Sequence, residues 1–246
     1  MSRSLFALML LAISTTSQAA APSINIGSLH DQLPPDTSRF LKRVRNSGDA
    51  TAYVRVEVSR IVFDDPNAAS EEPIDAAAVA RAESGASGVI ASPSRLIVPA
   101  NGGQQATTLV YRGSRDVERY YRIRFVPVVP SGNEFALTDA QQGAYRQDVA
   151  ASVSVFTGYG SILIVPPQQV RYATRVEGHT IHNDGNATIV LENLRTCPKG
   201  SSPDCPGGVK VHVRPGQQHR MEIPPQHTAH FQVIEGTDRR DIALAG

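Results

Sequence analysis

Six of the seven histidines fall in the second half of the chain: His179, His182, His212, His219, His227 and His230. His179-x-x-His182 and His227-x-x-His230 have a spacing that puts two imidazoles on one face of a helix but not of a strand. No carboxylate or cysteine framework completes a metal set around either pair. They read as surface or turn histidines, and no metal or other cofactor is expected. Two pairs of adjacent carboxylates, Asp64-Asp65 and Glu71-Glu72, lie in a loop-like stretch and read as solvated charge rather than an acid–base pair. The chain has no G-x-S-x-G, no H-E-x-x-H and no glycine-rich phosphate cradle. The chemistry on offer is that of a binding protein, and no enzyme activity is expected.

The first twenty residues read as a signal peptide. Arg3 supplies the positive start, Leu5 to Ile13 an apolar run, and Ser17-Gln18-Ala19 or the neighbouring alanines a small-residue cleavage site. That run is too short to span a bilayer, and no later stretch is long enough, so a mature protein without a membrane span is expected. Export would bring Cys197 and Cys205 into an oxidising compartment, where such a pair persists as a disulfide. Their spacing is not C-x-x-C, so a structural staple around the turn-like PKGSSPD is expected. A formal net charge of +1 argues against a general nucleic-acid binder.

The elements that must position these groups are strands. Ile24 to Ile26 opens one, and Pro34-Pro35 interrupts it as at an edge or a strand switch. Arg39 to Arg45 follows, then a turn at Asn46-Ser47-Gly48-Asp49. Ala52 to Val62 alternates, with Tyr53, Arg55, Glu57 and Ser59 opposite Val54, Val56, Val58 and, after Arg60, Ile61. Asp64 to Gly88 reads as an exposed excursion with a short helix at Ile74 to Ala82. Further strands fall at Val89-Ile90, Arg95 to Val98, Ala106 to Tyr111, Glu118 to Val129 and Val149 to Val165. This is the pattern of a β-sandwich. Pro166-Pro167-Gln168-Gln169 reads as a stiff linker. A second, smaller sandwich is expected after it, with Asn183-Asp184-Gly185-Asn186 as a hairpin-type turn. The expected division is 1–20 signal peptide, 21–166 first domain and 167–246 second domain with the disulfide.

Five stretches, in order along the chain, resemble the periplasmic chaperones of the chaperone–usher pathway. They are Pro93-Ser94-Arg95-Leu96-Ile97-Val98-Pro99-Ala100-Asn101-Gly102, Glu118-Arg119-Tyr120-Tyr121-Arg122-Ile123 running on to Pro127, Ser161-Ile162-Leu163-Ile164-Val165-Pro166, Ile181-His182-Asn183-Asp184-Gly185-Asn186-Ala187, and the cysteine pair. In detail they are most similar to the non-classical branch that serves common-pilus and CFA/I-like fimbriae. The resemblance implies an all-β protein of two immunoglobulin-like sandwiches set in an L, monomeric when free. It also implies residence in the periplasm and, as partners, fimbrial subunits and the outer-membrane usher.

Donor-strand complementation, the mode the resemblance implies, needs alternate apolar residues on a free edge. Val149, Ala151, Val153 and Val155 fit, although alternation alone leaves an ordinary core strand open. The family also implies a basic pair that holds the subunit's terminal carboxylate. Its first-strand arginine has no counterpart among Ser23 to Leu33, and its seventh-strand lysine aligns near Ser161. Arg122 and Lys42 are the leading replacements, with Arg124 and Arg45 behind them. Lys42 is in phase with inward-facing Phe40 and Val44, and a buried lysine requires a partner. Two other readings stay open at this stage. One is a secreted immunoglobulin-like adhesion protein, for which Asn186-Ala187-Thr188 would be a glycosylation acceptor. The other is a structural fimbrial component.

Overall fold

The structure, a computed structural model, describes residues 21–65, 68–150 and 157–246. In the first half the elements are β1 (Ile24–Asn25), β2 (His30–Gln32), β3 (Arg39–Asn46), β4 (Ala52–Asp65), β5 (Ala68–Pro73), α1 (Ala76–Ala80), β6 (Gly88–Ser92), β7 (Arg95–Val98), β8 (Gln104–Arg112), β9 (Arg119–Pro127), α2 (Asp139–Ala150) and β10 (Tyr159–Val165). The second half holds β11 (Thr174–Glu177), β12 (Thr180–Asn183), β13 (Ile189–Pro198), β14 (Val209–Val213), β15 (Gln218–Arg220), β16 (His227–Glu235) and β17 (Asp238–Ala245).

These strands make two β-sandwiches. In the first, a sheet ordered β1-β3-β8-β6 faces one ordered β2-β10-β9-β4-β5, with β7 also on β4. In the second, β11-β12-β15 faces β14-β13-β16-β17. Each has its own core. Val44, Val54, Leu109, Tyr121, Phe125 and Leu163 fill the first, and Ile181, Ile189, Leu191, Phe231 and Val233 the second. The period-two alternation along β3, β8 and β9 follows from one face packing on that core while the other does not. Cys197 of β13 is bonded to Cys205 in the connection from β13 to β14.

The turn at 183–186 is a correction. It was expected to close a hairpin, but β12 pairs with β11 and β15, and β13 with β14 and β16, so the turn crosses between sheets. Asn183 organises the crossing: its side-chain amide donates to the carbonyls of Ala187 (2.9 Å) and Val213 (2.8 Å), and its oxygen accepts from the Gly185 N–H (3.0 Å). The first sandwich repeats this between β3 and β4. There Asn46 donates to Ala50 (2.7 Å) and Val98 (3.2 Å) and accepts from Gly48 (3.1 Å). Both turns read N-x-G-x-A, and both asparagines are fully buried. A Cβ on Gly48 would lie 2.1 Å from the Ala21 carbonyl, and one on Gly185 2.5 Å from that of Arg171, so each crossing requires glycine there.

Lys42 shows how the first sandwich is tied across its sheets. It points inward from β3, is 3% exposed, and donates to the Asp31 carboxylate at 2.6 Å and the Ser28 carbonyl at 2.5 Å. β2 runs parallel to β10, with Ile162 N–H bonded to Leu29 and Leu33 N–H to Ile164, both at 2.8 Å. Lys42 thus anchors this short edge strand from the opposite sheet. Removing one partner strands the other's charge in a dry site. Lys42→Met should lower the unfolding free energy by about 3–5 kcal/mol, and Lys42→Met with Asp31→Leu should recover most of that loss. Urea unfolding of both variants checks this.

Candidate functional site

The outer face of the β2-β10-β9-β4-β5 sheet carries the one arrangement in which the sequence-predicted anchors meet. Alternation in β9 turns Tyr121, Ile123 and Phe125 into the core and Arg122 and Arg124 outward. On β10 their cross-strand neighbours are Ile162 and Gly160, and on β4 Ser59 and Glu57. A carboxylate already sits there. Glu71 reaches from β5 across β4 and accepts two hydrogen bonds from the Arg124 fork, 2.7 Å to Nη1 and 2.8 Å to Nη2. It accepts a third from the Ser59 hydroxyl (2.6 Å) and a long one from Arg122 Nε (3.4 Å). The Arg124 hydrogen bonds, then that of Ser59, hold the Glu71 carboxyl down at about 2. Bidentate capture of this kind is the geometry arginine offers and lysine does not.

Towards the second sandwich the same face becomes an interface. Both Glu118 oxygens accept from the Thr188 N–H (3.0 and 2.9 Å), and Oε1 also accepts from the Thr188 hydroxyl (2.5 Å) and that of Tyr120. Burial raises the Glu118 carboxyl, opposed by the Thr188 and Tyr120 hydrogen bonds. Phe63 packs edge-on against Tyr120 and carries the Arg214 guanidinium 3.5 Å from its ring centroid. Ile61 and Ile164 lie on this outward face, not the core face, yet are 6% and 5% exposed, as residues under an interface are. Beside it a cleft of about 400 Å³ is lined by His30, Ile164, Thr188, Lys210 and His212, among others. His30 and His212 stack across it with centroids 4.0 Å apart. Burial first, then His30 and Lys210, lowers His212 to about 4. Glu192 is held there between Lys210 (2.6 Å) and Arg239 (3.1 Å).

Arg122 and Arg124 are therefore brought together, and the other two candidates are not. Lys42 is buried and committed to Asp31, so it offers nothing to a partner. Arg45 is exposed on the opposite sheet of the sandwich. Ser161 faces inward and is fully buried. The expected long strand from Val149 to Val165 is also corrected. Val149 lies in the last turn of α2, β10 begins at Tyr159, and Ala151, Val153 and Val155 lie outside the described residues. The signal of α2 was a capping box: Thr138 N–H donates to the Gln141 side chain (2.9 Å) and Gln141 N–H to the Thr138 hydroxyl (3.3 Å). Tyr145 of α2 packs edge-on against Tyr53 of β4 and donates to the Thr51 carbonyl at 3.0 Å. Sequence reasoning missed Glu71, read as solvated, and Thr188, read as part of a glycosylation triplet.

The Glu71 carboxyl titrates well below its ordinary 4.5. A depressed carboxyl contributes stability that is full above the unfolded value and is lost as pH falls through the folded one. The stability difference between the unmodified chain and Glu71→Gln should be largest above pH 4.5, shrink as pH falls, and vanish only below about pH 2, as read by urea unfolding across that range.

No family model matches the chain. Among curated relatives, the probable fimbrial chaperone EcpB of Escherichia coli O157:H7 (strain EC4115 / EHEC) is 26% identical over 218 residues, covering 87% of each chain. The protein of that name in E. coli K12 is 25% identical over 215 residues, covering 86% of each. Among solved structures, the class 5 fimbriae chaperone CfaA shares the fold at a TM-score of 0.52, with 15% identity over 91% of this chain and 100% of that one. CsuC of Acinetobacter baumannii, solved with the tip adhesion subunit CsuE, shares it at 0.51, with 13% identity over 91% of this chain and 98% of that one. Along nearly its whole length the chain is similar to curated proteins named probable fimbrial chaperone, and it folds into two sandwiches as the solved class 5 fimbriae chaperone does.

Proposed function

We propose that this protein is a fimbrial chaperone that binds an unassembled fimbrial subunit in the periplasm, completes the subunit's sandwich with Ala151, Val153 and Val155 of the segment after α2, fixes the subunit's terminal carboxylate on Arg122 and Arg124, and passes the subunit to an outer-membrane usher. Its action is that of binding, without catalysis. Residues 1–20 are its export signal, 21–166 the subunit-binding domain, and 167–246 the second domain. The similarity to fimbrial chaperones favours this reading over an adhesion or structural role.

The observation that carries the anchor is the Glu71 carboxylate seated on the Arg124 fork with Arg122 beside it. It supports the pair as a site matched to carboxylates by geometry as well as charge. Both arginines lie on β9, one strand from β10, and the segment carrying Ala151, Val153 and Val155 precedes β10 in the chain. A subunit strand running alongside that segment would end near the guanidinium groups.

Arg122→Ala and Arg124→Ala change outward-facing residues, so both variants should fold. Losing a charge-assisted contact of roughly 1.5–3 kcal/mol should weaken subunit binding about 10- to 150-fold. Co-expression with the secreted proteins encoded beside it, followed by pull-down, reads this directly, and full recovery of subunit with both variants would remove the anchor assignment. Val153→Asp should abolish capture in the same assay, because it puts a charge where the subunit's apolar groove must be filled.

A further inference from the structure

We infer that Glu71 is an intramolecular stand-in for the partner's carboxylate: it occupies the arginine pair in the free chaperone and is displaced when the terminal carboxylate of a subunit enters. The inference rests on the anchor reading above. Three observations carry it. First, the contact joins strands that are not neighbours, since Glu71 stands on β5 and reaches past β4 to β9. Second, β5 is an edge strand exposed at every residue and bonded only to β4, so its side chains are not locked by packing and can withdraw. Third, the two arginines are engaged unequally. Arg124 gives both Nη groups to Glu71, whereas Arg122 gives only Nε, and the Arg122 Nη groups make no hydrogen bond among the described residues.

The Arg122 head leans the other way. Its Nη1 lies 4.0 Å from where a Cβ on Gly160 of β10 would be, and its Cδ 3.4 Å. A carboxylate approaching along β10 therefore meets open Arg122 donors first, and takes Arg124 only by pushing Glu71 aside. A bidentate internal carboxylate shields the pair from small anions in solution, which bring a charge and nothing else. A ligand that also gains main-chain hydrogen bonds along a strand can meet the cost of displacement. Glu71 is thus a selectivity device: it makes the carboxylate site answer to a chain terminus at the end of a paired strand.

The test uses the full mature chain and a synthetic peptide of about ten residues copying the C-terminus of the subunit that co-purifies with it, made with a free carboxylate and as the amide. Glu71→Gln should bind the free-acid peptide about two- to fivefold more tightly than the unmodified chain does, leave the amide unchanged, and become sensitive to competition by acetate. Unchanged or weaker binding of the free acid to Glu71→Gln overturns the inference, weaker binding meaning that Glu71 orients the arginines instead. If the unmodified chain does not distinguish acid from amide, and Arg122→Ala and Arg124→Ala bind both as it does, the anchor reading fails, and this inference with it. If the acid is preferred and both arginine variants lose that preference, the anchor stands whatever Glu71→Gln does.

Discussion

A β-strand shows its residues to two faces in turn, and the structure depends on β9 using both. Its inward residues, Tyr121, Ile123 and Phe125, are fully buried and hold the first sandwich together. That packing fixes where the intervening residues point. A one-residue slip would bring Arg122 and Arg124 into an apolar core and Ile123 out to solvent, and no register with that exchange is tolerable. The arginines owe their rigid placement to the aromatic and aliphatic residues between them. β9 also lies between β10 and β4, so these cations sit on a central strand, away from a fraying edge.

The same face changes character along its length. At one end it is charged and open, around Arg122, Arg124 and Glu71. At the other it is covered by the second sandwich, through Glu118, Tyr120, Phe63, Ile61 and Ile164. Glu118 is bound by the N–H and hydroxyl of Thr188 from the second sandwich, a half-buried carboxylate whose acceptors are matched by donors. The two sandwiches are built alike at their sheet crossings, with Asn46 and Asn183 each satisfying two carbonyls and one N–H inside the turn. Buried asparagine does there what a backbone ladder cannot, because the chain is leaving one sheet for another.

How much of this could be read beforehand follows from the range of each interaction. Alternation in β3, β4 and β9 is a local consequence of one buried face and was legible, as was the need of Lys42 for a partner. That the partner is Asp31 was not, because the two meet through the folding of β2 onto β10. The turn chemistry of Asn183-Asp184-Gly185 announced a turn but not which sheets it joins. Apolar residues on an outward face, Ile61 and Ile164, are visible in the sequence only as a break in phase; their meaning needs the second sandwich. The helix α2 escaped because its sequence has no apolar stripe, and only Thr138-x-x-Gln141 marked its start. Glu71 looked solvated because its surroundings, Ala68 to Pro73, are polar and exposed. Its partners lie 51 and 53 residues away in the chain.

A fixed carboxylate site does something for strand addition that strand pairing cannot do alone. Main-chain hydrogen bonds repeat along a strand and are nearly indifferent to register. Side-chain alternation rejects slips of one residue, since the wrong face would enter the groove. A slip of two residues escapes that check: it restores the face and forfeits only the terminal contacts. It also moves the chain terminus by about 6.6 Å. No charge-assisted hydrogen bond follows its partner that far, as reach ends near 3.5 Å. In the proposed anchor, an arginine pair held rigid by β9 would penalise the registers that alternation leaves open. Such a pair would have a use on a central strand apart from what it contributes to the stability of the free chain.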